Sequence, residues 1–227
     1  MMPINLDDEP QAVACEIDKD ALERFLSFCN HYTLPKKSIV VRSGEPAEYL
    51  YYIIEGTVTV LMEDEDDEGH EIILTYLNSG DFIGEMGVFY RTKYRTAYVR
   101  SKTPCTLAKI GYKQLEQLFK TELREEQPEI LKAIGLQLSQ RLITTSRKVS
   151  QLAFTDVAGR IARTLLDMCN QPEALSHPDG TQIHISRQEL GRIVGCSREM
   201  AGRVLKNMAE QKMIEVQGMD IVVYHKR

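Results

Sequence analysis

Residues 186–206 read SRQELGRIVGCSREMAGRVLK, the spelling of two short helices joined by a tight turn. Leu190, Val194, Cys196, Ala201 and Val204 are spaced to share one core. Gly195 stands between the halves, where a sharp turn calls for positive φ. Ser186 and Glu189 have capping-box spacing, and Ser197 is a ready N-cap for the second helix. That helix offers Arg198, Glu199, Arg203 and Lys206, a set suited to base edges and phosphates. The pattern is a helix-turn-helix whose second helix enters a DNA major groove. The alternative is an ordinary helical hairpin with a solvated basic face. Agreement among caps, turn glycine, core spacing and charge favours the first reading.

The chain has 227 residues, enough for one large or two modest domains. Its apolar and charged fractions of 43% and 27% are ordinary for a soluble globular protein. No apolar run approaches membrane-spanning length and the N-terminus is acidic, so the expectation is a cytoplasmic protein with no membrane partner. The net charge of −5 at first argues against DNA binding, but it is unevenly spread. From Ala153 onward there are 10 Lys and Arg against 9 Asp and Glu, and residues 186–206 carry five against two. Phosphate binding depends on the local field. The five cysteines include no Cys-x-x-Cys pair, which points to reduced structural thiols and no metal site.

Around this motif the expected class is α+β. Residues 1–17 read as a loose N-terminal arm, and 18–127 as a β-rich domain opened by a short helix over Asp18–Phe28. Candidate strands are Ser38–Arg42, Tyr49–Ile54, Thr57–Met62, Glu71–Leu77, Tyr94–Ser101 and Thr106–Ile110, a spacing that favours a β-barrel or jelly roll. The acidic run at 63–68 reads as a hydrated hairpin loop, with a metal site or a polymerase contact as the alternatives. A short helix at Tyr112–Lys120 follows.

Pro128 opens a long helix assigned to 128–153. Leu131, Leu138, Thr145 and Leu152 recur every seven residues, with Gly135, Leu142 and Val149 four residues after the first three. That seam suits a parallel two-stranded coiled coil, hence a homodimer, with a core helix of a monomer as the alternative. Residues 154–227 read as a hinge, an Asp156-capped helix, a His177–Gly180 turn, the helix-turn-helix and a closing hairpin. Together these make a winged arrangement.

The segment GDFIGEMGVF at 80–89, followed by YRTA at 94–97, has the parts of a phosphate site. Gly84 and Gly87 let backbone amides approach an anion. Arg95 offers a bidentate contact, Thr96 a hydroxyl, and Glu85 an acceptor for a ribose hydroxyl. A plain barrel corner with a surface ion pair is the alternative. Thr145 is polar in the seam and Ser146 adds a second hydroxyl. A ligand bridging barrel and seam would bias one dimer state over another.

These residues resemble those of the cyclic AMP receptor proteins (catabolite activator type) of the CRP/FNR superfamily. The resemblance runs from about Ala21 to the C-terminus. It is most specific at Gly84-Glu85, Arg95-Thr96, Thr145-Ser146, 154–160, 177–180 and 186–206. It implies a cyclic-nucleotide-binding jelly roll, a dimerising helix and a winged helix. It further implies that Gly84 and Glu85 hold the ribose and phosphate region and that Arg95 and Thr96 hold the cyclic phosphate. Thr145 would bond the base, with Ser146 reaching the partner subunit's nucleotide. On double-stranded DNA, it implies that Arg198, Glu199 and Arg203 read a TGTGA-like half-site, with Ser186, Arg187, Gln188, Ser197 and Lys206 mainly on phosphates. RNA polymerase is an implied partner through the turn at 177–180. The chain departs from the family pattern at Tyr94, where Glu is usual, and at Thr96, where Ser is common.

The expected function is therefore a cyclic-AMP-responsive homodimeric transcription regulator, a global activator or repressor acting on palindromic sites. It is not read as an enzyme, because no nucleophile–base pair emerges and the five histidines are scattered. Cyclic AMP is the expected effector, with no metal. The first alternative binds DNA without nucleotide or responds to cyclic GMP or cyclic di-GMP. An alternative of another class is a nucleotide-sensing interaction module with vestigial DNA binding.

Overall fold

The computed structural model describes residues 17–63, 71–90 and 92–224. The N-terminal arm, but for Ile17, and most of the acidic run therefore lie outside the described residues.

Helix α1 (Lys19–Ser27) begins at Asp18, whose carboxylate accepts from the amides of Asp20 and Ala21 at 3.0 and 3.2 Å. The β-rich region that follows holds β1 (Asn30–Leu34), β2 (Ile39–Val41), β3 (Tyr49–Glu55), β4 (Val58–Glu63), β5 (Glu71–Leu77) and β6 (Phe82–Ile83). A single turn of helix, α2 (Met86–Phe89), precedes β7 (Tyr98–Ser101), β8 (Cys105–Gly111) and α3 (Tyr112–Leu118).

The strands form two antiparallel four-stranded sheets, ordered β1-β8-β3-β6 and β2-β7-β4-β5. Strand β3 shows why they stack. Its period of two sends Tyr51 and Ile53 into the inter-sheet core with Val58, Val99 and Leu107. Leu50 and Tyr52 point the other way, to a second core with Phe25, Phe82, Leu115, Ile130 and Ile134. The strand is thus buried on both faces, and the helices close the outer one.

Three expectations change. Residues 94–97 are not strand: only 98–101 pair with β4, and Tyr94 makes an isolated bridge to Pro46. Strand β1, pairing Asn30–Leu34 with β8, was not expected, nor was the two-residue β6.

Helix α4 (Gln127–Phe154) is 28 residues long and extends past the expected start and end. Pro128 sits in its first turn, where a missing N–H costs nothing. Ile130 and Ile134 are fully buried against the barrel, whereas Leu142, Val149 and Leu152 are 69%, 60% and 40% exposed. The first half of the helix therefore packs in its own chain and the second half carries an uncovered apolar stripe.

Helix α5 (Val157–Cys169) is capped by Asp156, whose carboxylate accepts from the Gly159 amide at 2.8 Å. Strands β9 (Leu175–His177) and β10 (Gly180–His184), helices α6 (Arg187–Val194) and α7 (Arg198–Glu210), and the wing β11 (Ile214–Gln217) and β12 (Asp220–Tyr224) complete a winged helix-turn-helix. Its sheet is ordered β11-β12-β10-β9. A separate core of Ile161, Leu165, Leu190, Val194, Ala201 and Leu205, among others, holds it together. The architecture is a mixed α and β chain: a β-sheet sensor module, a long helix and a winged helix.

Candidate nucleotide pocket and nucleic-acid interface

One cavity of about 1320 Å³ runs between the barrel and α4, and Gly84, Glu85, Arg95, Thr96 and Thr145 all line it. Five of the six expected nucleotide residues are therefore brought together. Ser146 is exposed on α4 and is not on the cavity wall.

The two charged groups, Arg95 and Glu85, are engaged within the chain. The Arg95 guanidinium donates to the Tyr49 carbonyl and, at 3.1 Å, to the Tyr112 hydroxyl. That hydroxyl donates onward to the Gly84 carbonyl at 2.6 Å. Burial raises the Tyr112 phenol's pKa, partly offset by Arg95, so it stays a donor at neutral pH. The rings of Tyr51 and Tyr112 lie 5.8 and 5.9 Å from the guanidinium carbon. Gly84 has φ +82°, and a β-carbon there would collide with Arg95, the Tyr112 hydroxyl and the Tyr49 carbonyl. Gly87 differs from expectation: its amide donates to the Gly84 carbonyl at 3.0 Å, and its missing side chain makes room for the Tyr112 ring.

Glu85 is only 5% exposed and ion-pairs with Arg141 of α4. Arg141 also donates to the Phe82 carbonyl at 2.6 Å. Gln137 forms two 2.9 Å bonds to the same residue, accepting from the Phe82 amide and donating to its carbonyl. Further along, Lys148 donates to the Ile73 carbonyl of β5, and burial lowers its pKa. None of Gln137, Arg141 and Lys148 was singled out by sequence reasoning. The signal was present: Ile130, Ile134, Gln137, Arg141 and Lys148 share one helical face, which turns from apolar to polar where it meets the barrel rim.

In the winged helix, the Ser186 hydroxyl accepts from the Glu189 amide at 3.1 Å and the Ser197 hydroxyl from the Met200 amide at 3.2 Å. Gly195 is the left-handed turn, with φ 71°. The reciprocal half of the capping box is absent. The Glu189 carboxylate instead reaches the barrel, accepting from the Tyr76 hydroxyl at 3.0 Å and pairing with Lys102 at 3.1 Å. Arg187, Gln188, Arg198, Glu199, Arg203 and Lys206 are exposed. Among the described residues no group of three or more His, Cys, Asp or Glu stands together as a metal site needs. None of the described helices is long and apolar enough to cross a membrane.

A β-sheet module whose cavity abuts a long helix, followed by a winged helix-turn-helix with an exposed second helix, has the architecture of an effector-sensing DNA-binding regulator. Residues 32–122 match the cyclic nucleotide-binding domain, and residues 159–226 match the Crp-like helix-turn-helix domain. The chain is 49% identical over 211 residues to the CRP-like protein Clp of Xanthomonas campestris pv. campestris (strain B100), covering 93% of this chain and 91% of that protein. A Clp of Xanthomonas axonopodis pv. citri matches to the same degree. A solved structure from Xanthomonas campestris, described as the c-di-GMP responsive global regulator CLP, superposes with a TM-score of 0.87 at 49% identity, over 92% of this chain and all of that one. A CRP/FNR regulator of Thermus thermophilus, 23% identical, shares the fold with a TM-score of 0.69 over 86% of this chain and 94% of its own. The chain belongs to the CRP-like family of helix-turn-helix transcription regulators with a cyclic nucleotide-binding domain. These similarities give no support to cyclic AMP as the specific effector.

Proposed function

We propose that this regulator acts as a homodimer on palindromic DNA, occupies its sites without needing a nucleotide, and loses DNA affinity when cyclic di-GMP binds. One observation carries the reading: Arg95 and Glu85, the two charged groups expected to hold a nucleotide, already have partners in the chain. Arg95 is held by Tyr49 and Tyr112, and Glu85 by Arg141. Arg141 thus joins α4 directly to the barrel. Similarity to a protein described as c-di-GMP responsive supports the effector. The uncovered stripe of Leu142, Val149 and Leu152 supports the dimer, and Leu142→Glu with Val149→Glu should leave a monomer in analytical ultracentrifugation. Arg198, Glu199 and Arg203 are the base-reading side chains of this proposal, and the turn at 177–180 its polymerase-facing surface.

A second reading, cyclic AMP, draws on Thr96 and Thr145, which line the same cavity as a bridging mononucleotide requires. Titration calorimetry separates the two. Cyclic di-GMP should give saturable heat that Arg95→Leu abolishes while the variant remains folded. Saturable binding of cyclic AMP alone would overturn the proposal.

A further inference from the structure

The winged helix does not hang free of the barrel, and two polar clusters fix it there. Glu71, at the start of β5, keeps its carboxylate 8% exposed between two guanidinium groups, each at 2.9 Å: Arg100 of β7 and Arg192 of α6. On the same face the Glu189 carboxylate takes the Tyr76 hydroxyl and the Lys102 ammonium. The ammonium also lies 4.1 Å from the centre of the Tyr76 ring. The turn at Gly195 is exposed but lies close by: a β-carbon there would stand 3.3 Å from Leu152 at the end of α4 and 3.4 Å from Ile72 of β5. Inside the module, Arg160 donates to the Val194 carbonyl at 2.9 Å and to the Thr155 carbonyl at 2.8 Å, tying the end of α6 to the residue where α4 stops. The two clusters on the barrel, with the Arg160 tie to the end of α4, restrain the module's rotation. On the module side these contacts use Arg160, Glu189 and Arg192, none of them in α7, and Arg198, Glu199 and Arg203 of α7 stay exposed.

We propose that the clusters Glu71–Arg100–Arg192 and Tyr76–Lys102–Glu189 clamp the DNA-reading module to the barrel of its own chain, and that these are positioning residues which set the direction α7 faces. The proposal rests on the DNA-reading function of α7 and adds what aims it. A module held in its reading orientation binds without first being ordered. A released one binds through the fraction of time it spends so oriented, and apparent affinity falls by that fraction. Non-specific binding runs through phosphate contacts that tolerate many orientations, so it should change less.

The test is Glu71→Gln combined with Glu189→Gln in the full chain, with far-UV circular dichroism confirming the fold. Affinity for a duplex with two inverted TGTGA half-sites should fall about tenfold, as expected if the aimed fraction drops to about a tenth. Affinity for an unrelated duplex should stay within about twofold. Small-angle X-ray scattering without DNA should show a larger radius of gyration than the native chain. The exchanged pair Lys102→Glu with Glu189→Lys should restore both readouts relative to either single substitution, which a merely local structural role would not do. An unchanged or raised specific affinity, an unchanged scattering curve, or failure of the exchanged pair would each overturn the clamp. If the native chain binds neither duplex, the DNA-reading function fails, while scattering still decides the clamp.

Discussion

Replacing Arg141 with Met tests how the barrel is joined to the long helix. Glu85 and Arg141 have side chains 7% and 21% exposed, so the pair is mostly dry. Removing one partner of a buried pair costs about 3–5 kcal/mol, because the other charge is left uncompensated. The rim position of Arg141 admits some water, which lowers the expected loss to about 2–3 kcal/mol. Part of that is the lost bond to the Phe82 carbonyl. At about 2–4 °C per kcal/mol for a chain of this size, Tm should fall by roughly 4–12 °C. The chain has no tryptophan, so far-UV circular dichroism is the suitable probe. The cycle with Glu85→Gln isolates the pair: the double variant should lose less than the sum of the singles by about 1–2 kcal/mol. A coupling below about 0.5 kcal/mol would refute the claim that this pair joins barrel and helix.

Three other outcomes follow from the same geometry. Gly84→Ala puts a β-carbon at positive φ against Arg95 and two oxygens, and should cost about 2 kcal/mol or more by urea denaturation while displacing Arg95. Glu199→Ala should cost about 1–3 kcal/mol of discrimination between half-site variants, and more of it than of total binding, read by competition anisotropy. Burial pushes the Cys29 thiol up to about 12 from 9.0, so the folded chain keeps the proton that the unfolded chain loses; stability owed to this group is intact below pH 9 and declines from there toward 12, and a Cys29→Ala variant should show a shallower alkaline decline.

The winged helix was legible because its signals are local. Ser186, Gly195 and Ser197 act within a few residues, and each does at its position what its chemistry suggests. The apolar strands were legible for the same reason. Strand β1 was not, because it is short and mostly exposed, with only Tyr32 and Leu34 turned to the core. Tyr94–Ala97 looked like strand from composition, yet the chain needs that stretch to turn Arg95 toward Tyr49 and Tyr112. Glu189 shows the limit most clearly. Its spacing from Ser186 predicted a local bond, while its carboxylate went to Tyr76, 113 positions away. Pairings at that range depend on how separately folded parts dock, and nothing periodic announces them. Arg141 lies between: its pairing is distant, but the polar turn of an otherwise apolar helix face marked it.

Fluorescence anisotropy at fixed salt, on a duplex with two inverted TGTGA half-sites, tests the central claim most directly. Tight, salt-dependent binding with no nucleotide, weakened by cyclic di-GMP and unmoved by cyclic AMP or cyclic GMP, is the predicted result. Binding that appears only when cyclic AMP is added would contradict it.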